Sequence, residues 1–249
     1  MKSPMFLLLV AISFWIAIPA GLAETQQSTT PKLKIVLVGD STVALGGGWG
    51  PGFCASLVPG VTCIDDALNG RSSKSFLAEG AWERALAEKG NYYLIQFGHN
   101  DMKGKGPERE TSPDSTFAEN LRRFIRDVRA IGAVPVLVTS LSRRTFRDGA
   151  VVEDLKDYAA ATRKVGDEQQ VSVIDLNAIS TAMLNRMGQQ EADTFNAVDQ
   201  EKERLAVGKS AIDRTHLNPK GQSVFGRIVA AELVRLQPEL KSDIHATIQ

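Results

Sequence analysis

The sequence predicts an α/β fold: a three-layer α/β/α sandwich built on a flavodoxin-like, five-stranded parallel sheet. Three observations carry this prediction. Short, β-branched apolar runs recur, amphipathic stretches at helical spacing lie between them, and the two kinds of segment alternate along the chain. The first run, Lys34–Val38, is apolar almost throughout and ends at Gly39-Asp40, as a strand buried on both faces does. A weaker run, Val61–Ile64, follows. The spacing then predicts a helix over Phe76–Ala87, with Leu77, Trp82, Ala85 and Leu86 for one face. Tyr93–Phe97 is the third strand. Ser115–Ile131 places Phe117, Leu121, Phe124, Ile125 and Val128 on one helical stripe. Val134–Val138 is the fourth strand, Glu153–Val165 a helix, Val171–Ile174 the fifth strand, and Ile179–Met187 a helix. Residues 188–212 are polar and irregular and read as a surface excursion. The last helix is expected over Pro219–Leu236, with Asn218 as N-cap and Pro219 at the first helical position.

Composition narrows the function. The chain has 249 residues, 29 basic and 29 acidic, for a formal net charge of zero. Neutrality argues against a nucleic-acid partner, which selects clustered Lys and Arg. A chain this long buries roughly 70% of its unfolded surface and needs neither metal nor multiple disulfides to fold. Two Cys and three His make no zinc cluster of the usual kinds, so no metal and no cofactor is expected.

The totals also mix unlike parts. Residues 1–23 place Lys2 before an apolar run from Met5 to Ile18, a Pro19 break and the small residues Gly21 and Ala23, the layout of a secretory signal peptide. The alternative, a transmembrane anchor, needs ~20 apolar residues, more than the run offers. No Cys stands at the cleavage point, against a lipoprotein. Residues 24–31 read as a disordered leader and 32–249 as one domain with no linker or repeat. The expectation is a secreted or periplasmic protein without stable membrane association after cleavage. In an oxidising compartment Cys54 and Cys63, on either side of Pro59-Gly60, form either a local disulfide or two buried thiols.

In an open parallel sheet, ligands bind beyond the carboxyl ends of the strands. The segments there are Gly39-Asp-Ser-Thr42, Asn69-Gly-Arg-Ser72 and Gly98-His-Asn-Asp101, with Asp213-Arg-Thr-His216 just before the last helix. Each alone is ordinary: a Ser after a strand caps a helix, Asn-Gly makes a turn. Together they supply a nucleophile, a base, an orienting carboxylate and oxyanion donors. The Gly46–Gly52 stretch lacks phosphate-loop spacing and reads as a flexible cleft wall, with Trp49 either packing or stacking on a sugar.

In this order the four blocks resemble those of the SGNH (GDSL-like) hydrolases, over residues ~34–236, and their wording looks closest to the rhamnogalacturonan acetylesterase branch. The resemblance implies Ser41 as nucleophile, His216 as base and Asp213 as its orienter. It also implies an oxyanion hole from the backbone N–H of Ser41 and Gly70 and the Asn100 amide. Imidazole titrates near neutrality and can take and return the serine proton. Arg71, His99, Trp49 and Arg143 are candidate substrate contacts, with His99 alternatively filling its loop. Arg71, Lys74, Lys103, Lys105, Arg143, Arg144, Arg147 and Arg214 form an expected basic rim, suited to an anionic glycan. The implied activity is removal of O-acetyl groups from a plant cell-wall polysaccharide, most directly acetylated rhamnogalacturonan. The alternatives are acetylated xylan or another glycan, acetyl transfer to a sugar, or a non-catalytic carbohydrate-binding protein on the same fold.

Overall fold

The computed structural model describes residues 33–198 and 212–245. The proposed signal peptide and leader lie outside the described residues. Among the described residues no helix is long and apolar enough to cross a membrane.

The main sheet is built from β1 (Lys34–Gly39), β2 (Thr62–Asp65), β3 (Tyr92–Gln96), β4 (Val134–Val138) and a short strand, Val173–Ile174. Two two-residue strands, β5 (Phe146–Arg147) and β6 (Ala150–Val151), pair as a hairpin before that fifth sheet strand, which is therefore β7. The order is β2-β1-β3-β4-β7, all parallel, as a flavodoxin-like sheet requires.

Strand residues alternate between two separate cores. Ile35, Leu37 and Leu94 face one side, where they pack with Trp49, Phe53, Phe225, Val229 and Leu233. Val36, Val38, Tyr93 and Ile95 face the other, with Phe76, Trp82, Leu121, Phe124 and Val165. The first face is covered by α1 (Gly50–Cys54), α6 (Leu176–Ala192) and α7 (Pro219–Leu236). The second is covered by α2 (Ser73–Ala78), α3 (Ala81–Ala87), α4 (Ala118–Ala130) and α5 (Lys156–Gln169). The helix N-capped by Asn218 starts at Pro219 as expected.

Several expectations change. The Phe76–Ala87 helix is two helices, because Gly80 adopts φ 74° between them. Ser115–Ile131 opens as a π-turn at Pro113–Phe117 before α4. The 188–212 segment is no simple surface excursion: Ala192 and Phe195 are buried and Phe195 packs edge-on against Phe225. Beyond it β8 (Asn196–Val198) pairs antiparallel with β9 (Ile212–Leu217). Residues 199–211 lie outside the described residues.

Two features fix α1. A disulfide joins Cys54, at its end, to Cys63 in β2. Its backbone also touches that of α7, since a Cβ on Gly52 would run into the Gln222 carbonyl and one on Gly226 into the Phe53 amide. Only glycine permits that approach.

Candidate active site

The site lies at the carboxyl edge of β1 and β3. Asp40 is wholly buried after β1, and its Oδ1 accepts from the Thr42 N–H (2.8 Å) and hydroxyl (2.7 Å). This short turn is not the helix start expected from the sequence: Val43 and Ala44 N–H return to the Asp40 carbonyl, and α1 begins only at Gly50. Ser41 is left half-exposed at its apex. Thr42 is held from below by Gln96, which donates to its hydroxyl at 2.7 Å and accepts from the Trp49 indole at 2.9 Å. Trp49 is fully buried and therefore contacts no sugar, correcting the stacking alternative. The Gly46–Gly52 wall is packed rather than loose: Gly48, Trp49 and Gly50 N–H all bond back to residues 42–44.

Two further loops complete the floor. Asp101, sealed after β3, accepts from the Ser73 N–H and hydroxyl, the Gly98 N–H and the Thr111 hydroxyl. Burial pushes its carboxyl up to about 6 while these hydrogen bonds pull the other way. The clamp ties the 98–101 loop to the start of α2, and so sets Asn100 beside Gly70. The Asn100 amide donates to the Arg71 carbonyl at 3.1 Å, and Gly70 turns the backbone there with φ 75°.

Asp213 and His216 stand on β9, not on a free loop. In a regular strand residues three apart point to opposite faces. Here β9 is irregular: Ala197 pairs with Asp213 but Asn196 with Leu217. Asp213 Oδ1 accepts from the Thr215 and His216 N–H, folding the segment so that both side chains meet. His216 Nδ1 lies 2.6 Å from Asp213 Oδ2 and His216 Nε2 2.7 Å from Ser41 Oγ. Burial works to raise the Asp213 carboxyl, but the bonds from the His216 ring and the two backbone amides outweigh it and hold it far below the usual carboxylate range. An anionic Asp213 fixes the ring proton on Nδ1 and leaves Nε2 to accept the serine proton.

A cleft of 410 Å³ is lined by Ser41, Gly46, Asn69, Gly70, Asn100 and His216. Gly46 and Asn69 also border a 430 Å³ hollow with Leu45, Asp65 and Arg71. Ser41, Asn100, Asp213 and His216 also border a 320 Å³ hollow with His99, Lys105, Arg143 and Thr215. The nucleophile position thus has room for sugar on both sides.

Of the other expected contacts, His99 is almost wholly buried, 3.4 Å from the Thr42 hydroxyl. Burial first, then the charges of Arg143, His216 and Arg144, hold it well below the usual histidine range, so it is a neutral wall. Three of the eight expected rim cations are paired: Arg71 with Glu79, Arg143 with Asp154 and Arg214 with Asp193. Arg144 is not on the rim at all but fully buried. Sequence reasoning missed its depth, as it missed the clamping by Asp101 and Gln96, because neither motif nor periodicity marks them.

Residues 37–224 match the GDSL-like Lipase/Acylhydrolase family. The chain belongs to that family. This acylhydrolase, a carboxylic ester hydrolase, is 35% identical over 223 residues to the rhamnogalacturonan acetylesterase RhgT of Bacillus subtilis, a match covering 85% of this chain and 94% of that one. The crystal structure of YxiM from Bacillus subtilis superposes with a TM-score of 0.68 at 26% identity, over 82% of this chain and 56% of that chain. An acetylxylan esterase from Geobacillus stearothermophilus shares the fold at 15% identity, TM-score 0.58, covering 82% and 93% of the two chains.

Proposed function

We propose that the protein is an exported serine esterase that removes O-acetyl groups from a plant cell-wall polysaccharide, acetylated rhamnogalacturonan. The observation that carries the reading is the unbroken hydrogen-bonded chain Ser41–His216–Asp213 at the mouth of a cleft bordered by Gly70 and Asn100. The similarity to RhgT along most of both chains supports the substrate. The N-terminal pattern of residues 1–23 supports export, as does the Cys54–Cys63 disulfide, a bond that persists in oxidising compartments.

The steps follow from the geometry. His216 Nε2 takes the Ser41 proton as Oγ adds to the acetyl carbonyl carbon. The carbonyl oxygen becomes an oxyanion facing the Ser41 and Gly70 N–H and the Asn100 amide. Collapse breaks the bond to the sugar oxygen, which leaves with the proton carried by His216. Water then repeats the cycle on the acetyl-serine, giving acetate and free Ser41. Asp213 stays ionised throughout and steadies the imidazolium.

Arg71, Arg143 and Arg214 already face carboxylates and Arg144 is buried, so the charge available to an anionic polymer rests on the remaining rim cations, Lys74, Lys103, Lys105 and Arg147. The test is acetate release from acetylated rhamnogalacturonan, acetylated xylan and a neutral aryl acetate, with Ser41→Ala as control. Release from the pectic polymer well above xylan is expected. Equal rates on both would remove the substrate assignment, and an active Ser41→Ala would remove the nucleophile.

A further inference from the structure

Arg144 is a guanidinium sealed at 0% exposure just beyond β4, beside the site but lining none of its hollows. A charge placed there is destabilising unless its donors are used. Nε donates to Asn196 Oδ1 at 2.6 Å and Nη2 to the His216 carbonyl at 2.6 Å, while Nη1 is buried without a hydrogen-bond partner among the described residues. The Arg144 backbone N–H donates to the Arg214 carbonyl at 3.0 Å. Burial is the main influence on this group and lowers it to about 10, so it remains a cation at neutral pH, balanced by Asp213 and Asp193.

The two carbonyls it binds are those the strand pair cannot satisfy. Because Asn196 pairs with Leu217 and Ala197 with Asp213, one step along β8 is matched to four along β9. Arg214, Thr215 and His216 are thrown out of the ladder, and a bulge of this kind leaves its backbone groups without strand partners. Arg144 supplies partners to the first and last of the three. The far side of the clamp is anchored as well: Asn196 Nδ2 donates to Asp193 Oδ1 at 2.6 Å, and Asp193 holds the Arg214 side chain through two contacts of 3.1 Å.

We infer that Arg144 is a positioning residue for ester hydrolysis: with its backbone N–H fixing the Arg214 carbonyl, its guanidinium ties the His216 carbonyl to Asn196 and so holds the end of the β9 bulge that aims the His216 ring at Ser41. Without the guanidinium the Arg144 N–H still holds Arg214 and Asp213 still holds the Thr215 and His216 N–H, but the His216 carbonyl loses its tie to Asn196 and the His216 end of the bulge is free to shift. A planar fork reaches Asn196 and His216 together, whereas an ammonium reaches one at a time. The inference rests on the Ser41–His216–Asp213 reading above.

The test compares Arg144→Met, Arg144→Lys and Asn196→Ala in the full chain. Each is scored as kcat and KM on a neutral acetyl ester per active site, the sites being counted by titration with a serine-reactive phosphonate, with melting followed separately. A misplacement of about 1 Å costs on the order of 10²-fold in rate. Arg144→Met should therefore lose about that factor in kcat with KM little changed, Arg144→Lys should recover part of it, and Asn196→Ala should fall between. A purely structural role would lower the melting temperature and the titrated fraction but leave kcat per titrated site at the wild-type value, and that result overturns the inference. If Arg144→Met does not fold, wild-type kcat in both other variants overturns it equally. Ser41→Ala and His216→Ala, run in parallel, separate the two readings: activity in either removes the triad itself, whereas inert controls beside a fully active Arg144 series remove only the clamp.

Discussion

Asn100 differs from its neighbours in doing two things at once: its amide is anchored on the Arg71 carbonyl and also borders the cleft at Ser41. Asn100→Ala should lower kcat by about 10²–10³-fold, with a smaller effect on KM, in initial-rate assays on an acetyl ester. Asp101 beside it has a different signature. Its folded carboxyl sits at about 6 against an ordinary 3.8, because burial favours the protonated form. A raised carboxyl contributes stability that is full below the unfolded value and lost as pH rises through the folded one. Between pH 4 and pH 7 the wild-type urea midpoint should therefore fall relative to that of Asp101→Asn, a comparison in which the like-signed contribution of Asp65, raised to about 6 by burial, and the opposed one of buried His99 cancel. An undiminished slope in the variant would place the titration elsewhere. Ser41 was legible at this scale because it stands in a short block at a strand end, and Asp213 and His216 because theirs stands just before the last helix. Trp49 and Arg144 were not, since an indole that bonds to Gln96 and a guanidinium that bonds to His216 owe their burial to residues 47 and 72 positions away.

At the scale of elements, strand and helix order could be read because β1 and β3 are buried on both faces and therefore apolar but for Lys34 at the start of one and Gln96 at the end of the other. The breaks could not. The Gly80 turn and the β9 bulge depend on pairing partners that local spacing does not encode. The α1–α7 contact offers a test with opposed signs. Helix propensity alone makes Gly226→Ala stabilising by about 1 kcal/mol. The Cβ, however, meets the backbone of Phe53, and overpacking of this kind costs about 1–3 kcal/mol. A lower melting temperature by circular dichroism is expected, and a higher one would show that the helices part without penalty. The disulfide joins the same helix to edge strand β2 across a separation of nine residues. Cys54→Ser with Cys63→Ser should lower the melting temperature by roughly 5–10 °C for a chain of this size.

For the whole molecule, the expected basic rim is reduced, because Arg71, Arg143 and Arg214 each face a carboxylate and Arg144 is buried. Space is a second guide to substrate beside the charge that remains. The three hollows share lining residues in sequence, Gly46 and Asn69 joining the first to the central cleft and Ser41 and Asn100 joining the central cleft to the third. A ligand long enough to enter more than one hollow gains binding on both sides of Ser41. For defined acetylated oligosaccharides, kcat/KM should therefore rise with length and then level off. A flat dependence would confine recognition to the acetylated unit.

Ser41 and His216 meet across a sequence separation of 175 residues. Catalytic competence is consequently assembled from both extremities of the domain, and no amino-terminal fragment that stops short of β9 contains a base for its serine. Ester turnover is thus a direct gauge of complete, native chain. A split version, cut in a surface connection and expressed as two pieces, should stay silent until the pieces reassociate, and its rate would then count the reassembled molecules.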